Sequence, residues 1–169
     1  MSFHPGTYVL TLRATHKQDV QIGRLRRLSV RPGFYVYIGS AFGPGGVQAR
    51  VRHHAKISER PHWHIDYLRQ TAELKQVWYT HDPVRREHVW AEVFTNTRGA
   101  SIPLPGFGSS DCTCVSHLYF FQRQPALKNF RRRIQAAFRI MILLRTWSQT
   151  IYRKTRLLSC MTHMIYRCT

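Results

Sequence analysis

Acidic residues are scarce in this 169-residue chain: 8 Asp plus Glu stand against 26 Lys plus Arg, for a formal net charge of +18. All eight lie between Asp19 and Asp111, so residues 1–124 hold 16 basic and 8 acidic groups, whereas residues 125–169 hold 10 basic and none acidic. The excess is partly a property of the C-terminal stretch, and it favours an anionic partner, nucleic acid first. Long hydrophobic runs are missing too: none approaches the roughly 18–20 residues that cross a bilayer. Met1 to Leu12 lacks the basic start and apolar core of a signal peptide, so a cytoplasmic location is expected. Cysteine is sparse (Cys112, Cys114, Cys160 and Cys168), and in a reducing compartment these read as thiols rather than a disulfide framework. What is present is apolar and aromatic content, at 43% and 12%, too much for a disordered polycation. The length suits one globular domain with an appendage.

Gly6 to Leu12 alternates with period two, which predicts a strand with Tyr8, Leu10 and Leu12 on one face. Phe34 to Ile38 predicts a second, with short strands at Val20 to Ile22 and Leu28 to Val30 between them and Arg24, Arg26 and Arg27 exposed. One antiparallel sheet is the simplest arrangement. Gly43-Pro44-Gly45-Gly46 then breaks the chain before a helix from Val47 to about Lys56. Pro61 suits the first turn of a short helix through Leu68, and Leu74 to Tyr79 reads as a strand. Asp82-Pro83 predicts a helix start running to about Phe94. Residues 95–111 read as loop, His117 to Phe121 as a buried closing strand, and Leu127 to about Tyr152 as a basic helix with Phe130, Ile134, Phe138, Met141 and Leu144 on one side.

Several of these elements carry groups capable of chemistry. Tyr8 faces one side of its strand, and Tyr35 and Tyr37 share a side of theirs, so pairing of the strands would bring phenols together. Arg50 and His54 stand four apart on the first long helix, bordering its apolar stripe of Val47, Val51 and Ala55. On the helix expected from Pro83, Glu87 falls in phase with Val84, Ala91 and Phe94. An inward carboxylate is costly unless paired or coordinated. Tyr, Arg, His and Glu together suit phosphodiester hydrolysis: the carboxylate holds a divalent metal, the cation neutralises phosphate, and a phenol or imidazole takes a proton from water. A phenol is a poor base at neutral pH unless positive charge lowers its pKa, and Arg50 with a metal is expected to supply that charge.

Gly6-Thr7-Tyr8 and Tyr37-Ile38-Gly39 resemble the paired motifs of the GIY-YIG nuclease superfamily. The blocks Tyr37 to Gly46, His62-Trp63-His64-Ile65-Asp66-Tyr67-Leu68 and Gly106 to Leu118 resemble its Uri-type branch, a domain sometimes fused to a DNA glycosylase. The resemblance covers about residues 5–121, taken as the domain, with 122–169 as a basic helical C-terminal extension of unassigned role. It implies a mixed α/β fold with a central three-stranded antiparallel sheet flanked by helices. It also implies hydrolysis of DNA with one Mg²⁺, or Mn²⁺, and a DNA-repair enzyme as a possible partner. It places the general base on Tyr8, the second-motif tyrosine on Tyr37, the helix arginine on Arg50, the following histidines on His54 and His62 (His64 less well), and the metal ligand on Glu87. Thr7 departs from the first motif, Phe42 to Gly46 lengthens the gap before Arg50, and the family's asparagine has no clear match. Arg24, Arg26, Arg27 and Arg52 are the expected DNA-binding cations.

Each residue also has a plainer reading. Strand tyrosines usually pack, Arg50 and His54 suit a solvated helix face, and Glu87 could be salt-bridged to a nearby arginine. Cys112, Cys114 and His117 are zinc-type ligands, yet residues this close do not complete a tetrahedron without a distant fourth. Zn²⁺ is therefore not expected, and a structural turn is the preferred reading of Asp111 to His117. The rivals to an endonuclease are a non-catalytic nucleic-acid-binding module and an accessory domain of a repair enzyme. Substrate structure and oligomeric state do not follow from these residues.

Overall fold

The computed structural model describes residues 3–138 and 145–148. In chain order the elements are β1 (Gly6–Ala14), β2 (Gln18–Ile22), β3 (Arg26–Val30), β4 (Gly33–Ala41), α1 (Gly46–Ala55), α2 (His64–Arg69), β5 (Glu73–Thr80), α3 (Glu87–Thr95), β6 (Leu118–Phe121), α4 (Leu127–Phe138) and β7 (Arg145–Ser148). The alternation of β1 fixes the centre. It sends Tyr8, Leu10 and Leu12 into one core and Val9 into the other, and antiparallel β4 and β5 flank it. The sheet order is β6-β4-β1-β5-β7.

The main sheet therefore has five strands where three were expected. Each added strand satisfies a free edge. β6 is buried at all four residues and pairs with β4, and β7 covers the outer edge of β5. β2 and β3 form a separate hairpin instead of joining this sheet. Its Val20, Ile22, Leu28 and Val30 join α1, α2 and the Tyr8 face of the sheet in one core. On the opposite face α3 and α4 pack over Val9, Val36, Ile38 and Trp78. The result is three layers with the sheet in the middle.

Helix boundaries differ from expectation at three places. α3 begins at Glu87, not near Pro83. The Asp82 carboxylate accepts the Val84 N–H at 2.8 Å and the Arg86 guanidinium at 2.9 Å, and Thr7 Oγ1 accepts the Arg86 N–H at 3.0 Å. Side chains thus satisfy this turn before the helix starts, and Val84 is exposed instead of sharing the buried face. α2 begins at His64, because Asp66 caps the amides of His62 and Trp63. α4 is described through Phe138 and does not run on to Tyr152, since Arg145–Ser148 is a strand. Met141, Leu144, Tyr152, Cys160 and Cys168 lie outside the described residues. Phe130 and Ile134 are buried, and Phe130 stacks on Phe94 with ring centroids 4.6 Å apart. The packed unit accordingly runs past residue 121 and includes α4.

Candidate active site

β4 and β1 pair with Tyr8 opposite Gly39, which sets both phenols on the face covered by α1. A Cβ at Gly39 would stand 2.5 Å from the Tyr8 hydroxyl, so only glycine fits there. The Tyr8 hydroxyl meets His54 Nε2 at 3.1 Å, and His54 Nδ1 meets Asp66 Oδ1 at 3.0 Å. All three residues are at most 2% exposed. Hydrogen bonds decide the proton positions. Burial pushes Asp66 up, but bonds from His54, the Trp63 amide, His53 and the His62 amide overcome it and hold the carboxyl well below its ordinary range. As an acceptor, Asp66 takes the His54 Nδ1–H, leaving Nε2 to accept from the Tyr8 hydroxyl. Burial also outweighs the Asp66 bond at His54 and lowers its pKa, which keeps the ring neutral.

Arg69, 5% exposed, holds this chain in register from behind. Its Nε donates to the His54 carbonyl at 2.8 Å and its guanidinium to those of Ala55, at 3.5 Å, and Ala72. The buried cation thereby closes the C-terminus of α1, the end that carries His54.

Beside these groups opens a cleft of about 660 Å³ whose lining includes Tyr37, Gly39, Arg50, His62, His64, Arg85, Glu87, Asp111 and His117. The Arg50 guanidinium lies over the Trp63 ring, its carbon 4.1 Å from the centroid, and has no ion-pair partner among the described residues. Glu87 is 8% exposed, and Arg85 at 3.4 Å and His88 at 3.8 Å both approach its Oε1. His64 Nδ1 accepts the Gly108 N–H at 2.9 Å. Gly108 has φ +72°, and a Cβ there would stand 2.8 Å from the Tyr37 ring.

Of the residues expected from sequence, Tyr37, Arg50, His62 and Glu87 meet in the cleft. Tyr8 and His54 lie beneath it. Arg24, Arg26, Arg27 and Arg52 are exposed and outside the lining. Of the two charges expected to bring the Tyr8 phenol down, Arg50 and a metal, Arg50 alone is not enough. Burial dominates, Tyr37 adds to it, and the phenol sits well above its ordinary value despite Arg50; Tyr37 is raised likewise, by burial first. Asp66, Arg69, Arg85 and His88 were not singled out from sequence. Only Asp66 left a signal, standing three residues past Trp63 where a carboxylate caps a helix start. The distant partner for Cys112, Cys114 and His117 exists: His88, on α3, brings its Nδ1 to 3.2 Å from Cys114 Sγ.

Residues 7–140, most of the chain, match the family described as Domain of unknown function DUF123. The chain belongs to this family. Neither the curated proteins nor the solved structures include a match. In this DUF123 domain the matched span takes in β1 through α4, in line with the packing of Phe130 and Ile134 into the core. No described helix is long and apolar enough to cross a membrane.

Proposed function

We propose that the chain is a Mg²⁺-dependent endonuclease hydrolysing DNA phosphodiester bonds in the cytoplasm, in the manner its GIY-YIG resemblance implies. The observation that carries this reading is the convergence of Tyr37, Arg50, His62 and Glu87 on one cleft, above the Tyr8–His54–Asp66 chain. Arg50 is braced on Trp63 and has no carboxylate partner among the described residues, so its charge is available to a phosphate. The residues fit a hard divalent ion: Glu87 brings a carboxylate to the wall of the cleft, where water and phosphate could complete the shell, with Arg85 and His88 approaching its Oε1. Mg²⁺ or Mn²⁺ bound there would stabilise charge on the phosphoryl and leaving oxygens.

The raised pKa of Tyr8 calls for a relay rather than a resting phenolate. Tyr8 takes a proton from water as it passes its own to His54 Nε2, and Asp66 balances the imidazolium. The hydroxide attacks phosphorus, the bond from phosphorus to the sugar oxygen breaks, that oxygen takes a proton from solvent, and His54 returns its own proton through Tyr8 to solvent. Gly39 lines the cleft, and a side chain there would run into the Tyr8 hydroxyl beneath.

One observation favours a DNA-binding module without turnover: burial drives both phenols up. The two readings separate in a cleavage assay of the full chain on supercoiled, branched and single-stranded DNA, with Mg²⁺ or EDTA. Under the hydrolytic reading, cutting needs metal, and Tyr8→Phe and Glu87→Ala each reduce it by about 10²-fold or more while DNA binding persists. Binding without cutting, unchanged by Glu87→Ala, would establish the module instead.

A further inference from the structure

We propose that His88, Cys112, Cys114 and His117 form a tetrahedral Zn²⁺ site that staples the long loop before β6 to the first turn of α3. The four ligand atoms lie within 4.8 Å of one another. They are paired, with His88 Nδ1 at 3.2 Å from Cys114 Sγ and His117 Nε2 at 3.5 Å from Cys112 Sγ. In a tetrahedral site with Zn–S near 2.3 Å and Zn–N near 2.0–2.1 Å, a sulfur and a nitrogen stand roughly 3.5 Å apart. The cluster therefore needs little adjustment to close on an ion. Two thiols and two imidazoles are the soft and borderline donors that select zinc, unlike the oxygen of Glu87.

Two features outside the four ligands support the site. Metal-bound histidines normally give their second ring nitrogen to a carboxylate or carbonyl. Here His88 Nε2 stands 3.8 Å from Glu87 Oε1, and the His117 ring is hydrogen-bonded to the Gly108 backbone. The chain between α3 and β6 spans residues 96–117 without helix or strand beyond a single bridge at Ser101. A connection this long in a compact domain calls for a constraint, and closing it with an ion gives one.

Binding displaces the two thiol protons to solvent and leaves a neutral Zn(Cys)₂(His)₂ centre. With all four positions filled by protein the ion is structural, not catalytic. It holds Asp111 and His117 at the wall of the cleft and steadies His88 beside Glu87. The proposal stands independently of the hydrolytic reading.

The test uses the full-length protein expressed with added zinc. Elemental analysis should find about one zinc per chain. The apo-protein, prepared with a chelator, should bind Co²⁺ with the absorption of a tetrahedral two-thiolate site and release about two protons per ion. Zinc should protect Cys112 and Cys114 from alkylation, as mapped by mass spectrometry. The double variant Cys112→Ser/Cys114→Ser should lose the ion, and His88→Ala should weaken binding while keeping the thiolate absorption. If the variants do not fold, the cobalt spectrum and alkylation map of the wild type decide. No bound zinc, no tetrahedral cobalt spectrum and alkylation indifferent to zinc would overturn the site. So would an ion that stays in the double variant, since it would then sit elsewhere, as at His53, His54 and Asp66.

Discussion

Asp66 performs several tasks with one carboxylate. It caps α2 through the amides of His62 and Trp63, accepts from His53 at 3.2 Å, and fixes the His54 tautomer at 3.0 Å. Asp66→Asn keeps an acceptor and nearly the same volume but removes the charge that would stabilise a protonated His54. If the relay operates, cleavage falls by about 10²-fold or more with little change in DNA affinity. A variant that folds, binds DNA and cuts at the wild-type rate would remove Asp66 and His54 from the proton path. The buried Arg69 belongs to the same unit, because the carbonyls it satisfies lie where α1 ends behind His54.

Among the elements, α4 separates the observed fold from the one expected of a domain ending near residue 121. Its Phe130 ring lies between Phe94, Trp90 and Trp78, at centroid distances of 4.6, 5.4 and 5.5 Å. Phe130→Ala should cost about 3–5 kcal/mol, read from the urea midpoint, since the cavity would open in a tightly packed aromatic cluster. Truncation after residue 124 removes Phe130 and Ile134 and should expose the Trp78 and Trp90 face, giving a weakened or aggregating product. A truncated chain as stable as the full one would mean that α4 merely rests on the domain. At α3, a helix beginning at Glu87 rather than Pro83 puts that carboxylate in the first turn, where free amides and the helix dipole favour negative charge.

At the scale of the whole molecule, charge and burial set the response to salt and pH. With Arg24, Arg26, Arg27 and Arg52 exposed and a net charge of +18, DNA affinity should fall steeply between roughly 50 and 200 mM salt. Affinity that stays flat over that range would argue against phosphate contacts. Burial lowers the pKa values of His54 and His64. The unfolded imidazoles titrate near pH ~6.5, so below that the unfolded chain binds protons that the folded one does not. Stability is therefore full above about pH 6.5 and declines as the solution is acidified. Asp66, with its folded pKa depressed, adds a second loss below about pH 4. A melting temperature constant from pH 8 to 5 would contradict the first step.

The sequence by itself determined the strand faces, the α1 stripe and several of the groups that line the cleft. Period-two alternation dictates that Tyr8, Leu10 and Leu12 share a side, and a 3.6-residue repeat dictates that Val47 and Val51 do. These patterns are local, so they are legible in a single chain. Tertiary structure decided whatever depends on residues far apart in sequence. It chose which free edges β6 and β7 would cover, and it carried His54 to Asp66 and His88 to Cys114 across 12 and 26 positions. It also set burial against the pull of Arg50 at Tyr8. The attraction of Arg50 was foreseeable from their chemistry, but the larger desolvation cost arises only when the sheet, α1 and α2 close around the phenol and exclude water.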